Sequence, residues 1–192
     1  MSTIRRMTTT LAAGALVLTG GSAGAPAALA DGPDTPHEVI VEIEAMEWPE
    51  YEVGDSDIDI AVAGYLLRYL GHLPDDYELP NSDFTEELED AVLEFQTDGD
   101  IDVPDTGRLD QETWDNLRKE IFGTPMGQGR IGDPVCAVQH SLIHDYDKDI
   151  THDCRFGPET EGAVKEVQRD FGIDDDGLVG VITFRAMIAG GV

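Results

Sequence analysis

Residues 156–184 read FGPETEGAVKEVQRDFGIDDDGLVGVITF, and the fold follows from this stretch. Thr160, Ala163, Val164 and Val167 recur at the three- and four-residue spacing of one helix face. Gly157 stands at the cap position and Pro158 in the first turn, where a missing N–H costs nothing. Gly177 punctuates a turn that calls for positive φ, and Phe184, Met187 and Ile188 face a core from a third helix. Upstream, Pro134 opens a helix with Val135, Val138 and Leu142 on its apolar side. Residues 130–190 therefore form a unit of three short helices.

The same unit occurs earlier in the chain. At a displacement of 72 positions, Ala63 meets Val135, Leu66 meets Val138, Leu70 meets Leu142, Phe84 meets Phe156, Ala91 meets Ala163 and Gln96 meets Gln168. After two extra residues near Val103-Pro104 the displacement is 70, and Gly107 meets Gly177, Thr113 meets Thr183 and Trp114 meets Phe184. One gap through so many pairs marks a duplication. The first copy spans 54–123 and the second 130–190, so the fold class is all-α, two tandem three-helix modules. Thr85, followed by Glu86 and Glu87, predicts the N-terminus of the middle helix in copy one.

Residues 1–30 have the form of a signal peptide. Arg5 and Arg6 give a basic start, residues 11–18 a short apolar core, and Ala28-Leu29-Ala30 a small-x-small cleavage pattern. The mature chain is expected to begin at Asp31, secreted or wall-associated, with no membrane segment retained. Residues 31–53 are an acidic N-terminal leader. Apolar and acidic residues alternate over 37–46, which suits an edge strand or an extended arm, while the composition favours a flexible leader.

The chain carries 12 basic and 40 acidic residues, a net charge of −28. Two of the basic and none of the acidic residues lie in 1–30, so the remainder holds 10 against 40, a net charge of −30. Such a surface argues against nucleic-acid or anionic-membrane partners held by charge. Cys136 and Cys154 are the two cysteines, close together in the exported part, and a disulfide is the simplest reading. The nearby His140, His144 and His152 form no recognisable zinc-ligand spacing with them.

Phe156-Gly157-Pro158-Glu159-Thr160, Ala163-Val164 and Gln168, followed by 176–180 and Thr183-Phe184, resemble the signature of the peptidoglycan-binding domain type 1 family. Copy one keeps Phe84, Ala91-Val92, Phe95-Gln96, 106–109 and Thr113-Trp114. It departs from the pattern at Thr85, where the family commonly has Gly, and at Leu88, where it commonly has Thr. The resemblance implies a three-helix fold with pseudo-symmetric halves and attachment to the bacterial wall, with peptidoglycan as partner.

Gln96 and Gln168 are the candidate binding residues, since an amide both donates and accepts, either to a stem peptide or to a neighbouring turn. Three acidic ladders, at 55–59, 98–102 and 145–149, invite a calcium reading. The last has Ile150 where an EF-hand loop requires Gly and Phe156 where it requires Glu, so no metal and no cofactor is expected. No nucleophile elbow and no zinc-protease run is present, so the expectation is no enzyme. The sequence reads as a secreted, non-catalytic peptidoglycan-binding protein. The alternative is a protein-interaction module, an inhibitor or accessory subunit of a secreted wall hydrolase.

Overall fold

A computed structural model describes residues 32, 34–98 and 103–191. The expected signal peptide, including Arg5 and Arg6, falls outside the described residues, as do Asp100 and Asp102 of the second acidic ladder. Among the described residues are seven helices: α1 His37–Glu44, α2 Ile58–Leu70, α3 Glu86–Gln96, α4 Gln111–Phe122, α5 Asp133–His144, α6 Pro158–Phe171 and α7 Val181–Ala189. Helices α2–α4 and α5–α7 repeat the same arrangement.

The copies cap their helices differently. In α2, α3 and α4 the side chains of Asp57, Thr85 and Asp110 accept from backbone N–H groups of the first turn, each worth about 1 kcal/mol. In α5, α6 and α7 glycines 132, 157 and 180 stand at these positions without a side-chain cap. The Cys136–Cys154 disulfide, closing 18 positions of chain, is found in copy two alone. Reducing it is expected to lower the unfolding free energy by about 3 kcal/mol in the chain-entropy view. Urea titration with and without reductant measures this; coincident midpoints would contradict it.

Four isolated β-bridges fix the register of the repeat. Tyr51↔Leu109 and Ser56↔Asp83 in copy one correspond to Met126↔Val179 and Ile131↔Arg155 in copy two. Gly54 N–H donates to Phe84 O as Gly129 N–H does to Phe156 O, both at 3.0 Å. The first helices are therefore related by 75 positions, not 72: α2 begins at Ile58 and α5 at Asp133. Ile60 corresponds to Val135, Ala63 to Val138 and Leu67 to Leu142. The expected register was three residues out, because sliding a helix by three keeps its apolar face. Backbone pairing at the helix entrance makes the choice.

The leader is also corrected. Residues 37–44 form α1, whose Val39, Ile40 and Ile43 share a face and pack on Ile173, Ile182 and Ala186. Trp48 then enters the core beside Trp114, with ring centroids 5.7 Å apart and planes 12° from parallel. Arg185 lies 4.7 Å from the Trp48 ring centroid and donates to Ile43 O and Met46 O. Arg118 grips Glu44 through both carboxylate oxygens, at 3.1 and 2.9 Å. A helix and a buried tryptophan thus tie the segment down.

The two copies are one body. A single hydrophobic cluster runs from Trp48 through Leu66, Phe95 and Trp114 to Val138, Val164 and Phe184. Among the helices the most extensive contact is between α2 and α5, one from each copy. At its edge Arg68 makes a bidentate pair with Asp133, at 2.8 Å on both arms.

Candidate functional site

Gln96 and Gln168 are buried and committed to turns. Gln96 Nε2 lies within hydrogen-bonding distance of Thr106 Oγ1, Arg108 O and Thr113 Oγ1 at 2.8–3.1 Å, while its Oε1 accepts from Gly107 N–H at 2.9 Å. Gln168 repeats this with Asp176 Oδ1, Leu178 O and Thr183 Oγ1, and accepts from Gly177 N–H at 2.9 Å. Their exposures are 2% and 0%. Of the two roles open to these amides, the structure places them in the neighbouring turn, fastening one helix to the start of the next.

A third fastener went unread in the sequence. Gln139 Nε2 approaches Asp153 Oδ1, Arg155 O and Thr160 Oγ1, and Oε1 accepts from the N–H groups of Asp153 and Cys154. In each case the carbonyl belongs to the residue five before the threonine, a spacing that would have revealed it. The residues that follow the acceptor turn are Gly107 (φ 70°), Gly177 (φ 78°) and Cys154 (φ 58°). Cys154 thus holds a left-handed conformation that glycine adopts in the other turns. The fourth place is apolar: Gly64 occupies the position of Gln139 and Leu88 that of Thr160. A Cβ on Gly64 would stand 2.9 Å from Leu79 Cδ2, so Leu79 fills the space.

The histidines gather near the disulfide. His140 and His144 have ring centroids 4.4 Å apart, and His152 lies 6.0 Å from His140 with Nε2 3.2 Å from Cys136 O. Burial, then the neighbouring His144 and His152, lowers the His140 pKa to about 4, so it is neutral at pH 7. Among the described residues no group of three His, Cys, Asp or Glu is placed to hold a metal ion.

Exposed apolar residues mark one surface. Tyr69 at the end of α2 is 47% exposed and Ile131 is 63% exposed. Arg130 spans the gap, donating to Tyr69 Oη at 2.8 Å with its guanidinium 5.9 Å from the ring centroid. Arg155 is bridged to Ile131 through the backbone. Arginines 68, 108, 118, 169 and 185 are all paired with carboxylates. Arg130 forms no ion pair among the described residues, while Arg155 faces the Asp153 carboxylate. A groove of about 290 Å³ runs from Arg130 along Gln128, Gly127 and Pro125 to Ile121, between the copies. An aromatic ring beside a guanidinium suits a sugar face and an anionic substituent.

Helices α5–α7 coincide with a family match. Residues 131–187 match the family described as "Putative peptidoglycan binding domain". This covers one copy, not the two expected from the repeat; the match does not extend to α2–α4, where the fastener equivalent to Gln139–Thr160 is replaced by Gly64 and Leu88. No curated protein and no solved structure matches the chain. No helix among the described residues is long and apolar enough to cross a membrane.

Proposed function

We propose that the protein is an exported, non-catalytic binder of peptidoglycan that engages the wall through its second module. The family match over 131–187 carries this reading. In it, residues 1–30 direct export and 54–123 act as a second, diverged copy that braces the binding module and lends Tyr69 to the surface. The net charge opposes attraction to anionic wall polymers. Affinity therefore comes from short-range contacts, with Tyr69 stacking on sugar and Arg130 and Arg155 meeting carboxylates of the stem peptide. Gln96 and Gln168 support binding indirectly, by fixing the turns between helices.

Co-sedimentation with purified sacculi tests the proposal. The mature protein is expected to pellet with sacculi and to release no soluble muropeptides above a heat-treated control. Tyr69→Ala and Arg130→Ala, both at the surface, should each weaken binding roughly tenfold while leaving the unfolding midpoint in place. Wild-type protein that stays in the supernatant would reject wall binding. Variants that bind as well as wild type would move the site elsewhere.

A further inference from the structure

A second cavity opens on the opposite end of the α2–α5 contact. It has a volume of about 260 Å³ and lies where the N-terminal arm, the start of α2, the end of α5 and the end of α7 meet. One wall is apolar, from Pro49, Ile188 and Ala189; the other carries Asp57, Asp59 and Asp145. Asp59 is 8% exposed. Its Oδ2 accepts from Tyr51 Oη at 3.2 Å, but its Oδ1 is buried with no partner, and so is Oδ2 of Asp145. The Ser141 hydroxyl stands beside Asp145 and Tyr146 lies close to both acids, its hydroxyl committed to Ala186 O and Met187 O, so Asp59 Oδ1 is the sequestered oxygen that lines the cavity without a donor.

The remaining charged neighbours do not supply one. The arm contributes Glu47 and Tyr51, α2 contributes Asp57, whose Oδ1 is taken by Asp59 N–H at 3.0 Å, and α5 contributes His144 beside Asp145. The lining from α7 is Ile188, Ala189 and Gly191, so no basic side chain lines the cavity. Unpaired buried carboxylates are costly and persist where something else repays them.

We propose that this cavity is a binding site for a primary ammonium group on a short aliphatic chain, held by Asp59 and Asp145 with its methylenes against Ile188 and Ala189. An ammonium offers the donor that Asp59 Oδ1 lacks and has further donors for Asp145 and Tyr51 Oη. The apolar wall suits a methylene stem, and the volume falls below the roughly 300–1,000 Å³ of a site for a larger ligand. A metal ion fits less well, because Asp57, Asp59 and Asp145 do not form a group able to hold one. The site stands apart from the Tyr69–Arg130 surface and does not rest on wall binding.

Proton linkage follows from the burial. Asp59 is pushed up to about 8 and Asp145 to about 6, burial being the main cause in both and neighbouring carboxylates adding to it. An amine arriving as a cation displaces a proton from the pair, so affinity rises with pH until both carboxylates are ionised.

The test is calorimetric titration of the mature protein with Nα-acetyl-lysine methylamide at pH 6 and pH 8, in buffers of different ionisation enthalpy. Saturable one-site binding is expected, about tenfold tighter at pH 8, with proton release at pH 7. Asp59→Asn and, separately, Asp145→Asn should each weaken binding at least tenfold at pH 8, while Arg130→Ala leaves it unchanged. Absence of binding at pH 8 would overturn the proposal. So would binding indifferent to both asparagine variants, or saturable calcium binding at the pair without amine binding.

Discussion

Gln168→Ala is expected to destabilise the protein by about 3–5 kcal/mol, a large part of the roughly 5–15 kcal/mol that holds a domain together. The side chain is 0% exposed and occupies the centre of a closed set of bonds. Removing it leaves Gly177 N–H without its acceptor inside the fold and takes one partner each from Leu178 O and Thr183 Oγ1. An unsatisfied buried polar group costs about 1–3 kcal/mol, and the vacated volume adds to that. Gln96→Ala should behave similarly, since its partners are equivalent, whereas Gln128→Ala at the surface should be neutral within about 0.5 kcal/mol. Urea unfolding followed by far-UV circular dichroism measures all three. A loss below about 1 kcal/mol for Gln168→Ala would mean that water takes over the bonds and that the amide is dispensable.

The second large effect has the opposite sign. Asp59→Asn is expected to stabilise the protein at pH 8 by roughly 3–5 kcal/mol, with the gain fading toward pH 4. The Asp59 pKa of about 8 in the fold lies far above that of the unfolded chain. Between about pH 4 and pH 8 the folded state holds a proton that the unfolded state has released, so stability falls as pH rises through this window. Asp145, raised to about 6, adds a loss of the same sign between about pH 4 and 6. His140 opposes both: its pKa is lowered to about 4, so its contribution is intact above about 6.5 and is lost as pH falls from there toward 4. Asparagine keeps an acceptor for Tyr51 and needs no charge. Melting temperatures at pH 4, 6 and 8 for wild type and variant give the answer. Parallel curves would show that Asp59 does not titrate as its burial implies. A stability gain at the same position that binds the amine would place a functional demand there, because selection for stability alone would have removed the charge.

These two residues illustrate what the sequence disclosed and what it hid. The helices of both copies were legible because Ala163, Val164 and Val167, like Ala91, Val92 and Phe95, repeat at helical spacing and end in glycine turns. The register of the first helix was not, since a shift of three residues preserves the same stripe. In the leader, Glu42 and Glu44 flanking Ile43 imitated strand alternation and concealed the face made by Val39, Ile40 and Ile43. The glutamines could be picked out, but an amide reads the same whether it meets a ligand or a turn; only burial separates the two. Asp59 and Asp145 looked like members of acidic ladders on separate copies. They share a cavity because α2 and α5 pack together, and no local pattern records that contact.

The α2–α5 seam, locked by Arg68 and Asp133, also bears on avidity. Two modules on a slack tether search for a second foothold, and the linker sets an effective concentration for the next contact. Here the search is absent: both copies share one core, and the connection, residues 123–132, is pinned to the second copy by the Met126↔Val179 and Ile131↔Arg155 bridges. Any two contacts made by this molecule are offered at a fixed distance and angle. A lattice whose strands lie at that spacing gains the full multiplicative benefit of double attachment, and any other spacing gains none. In a binder with two contacts, stiffness of this kind would tie double attachment to one spacing, where a tethered pair would register only how many strands are nearby.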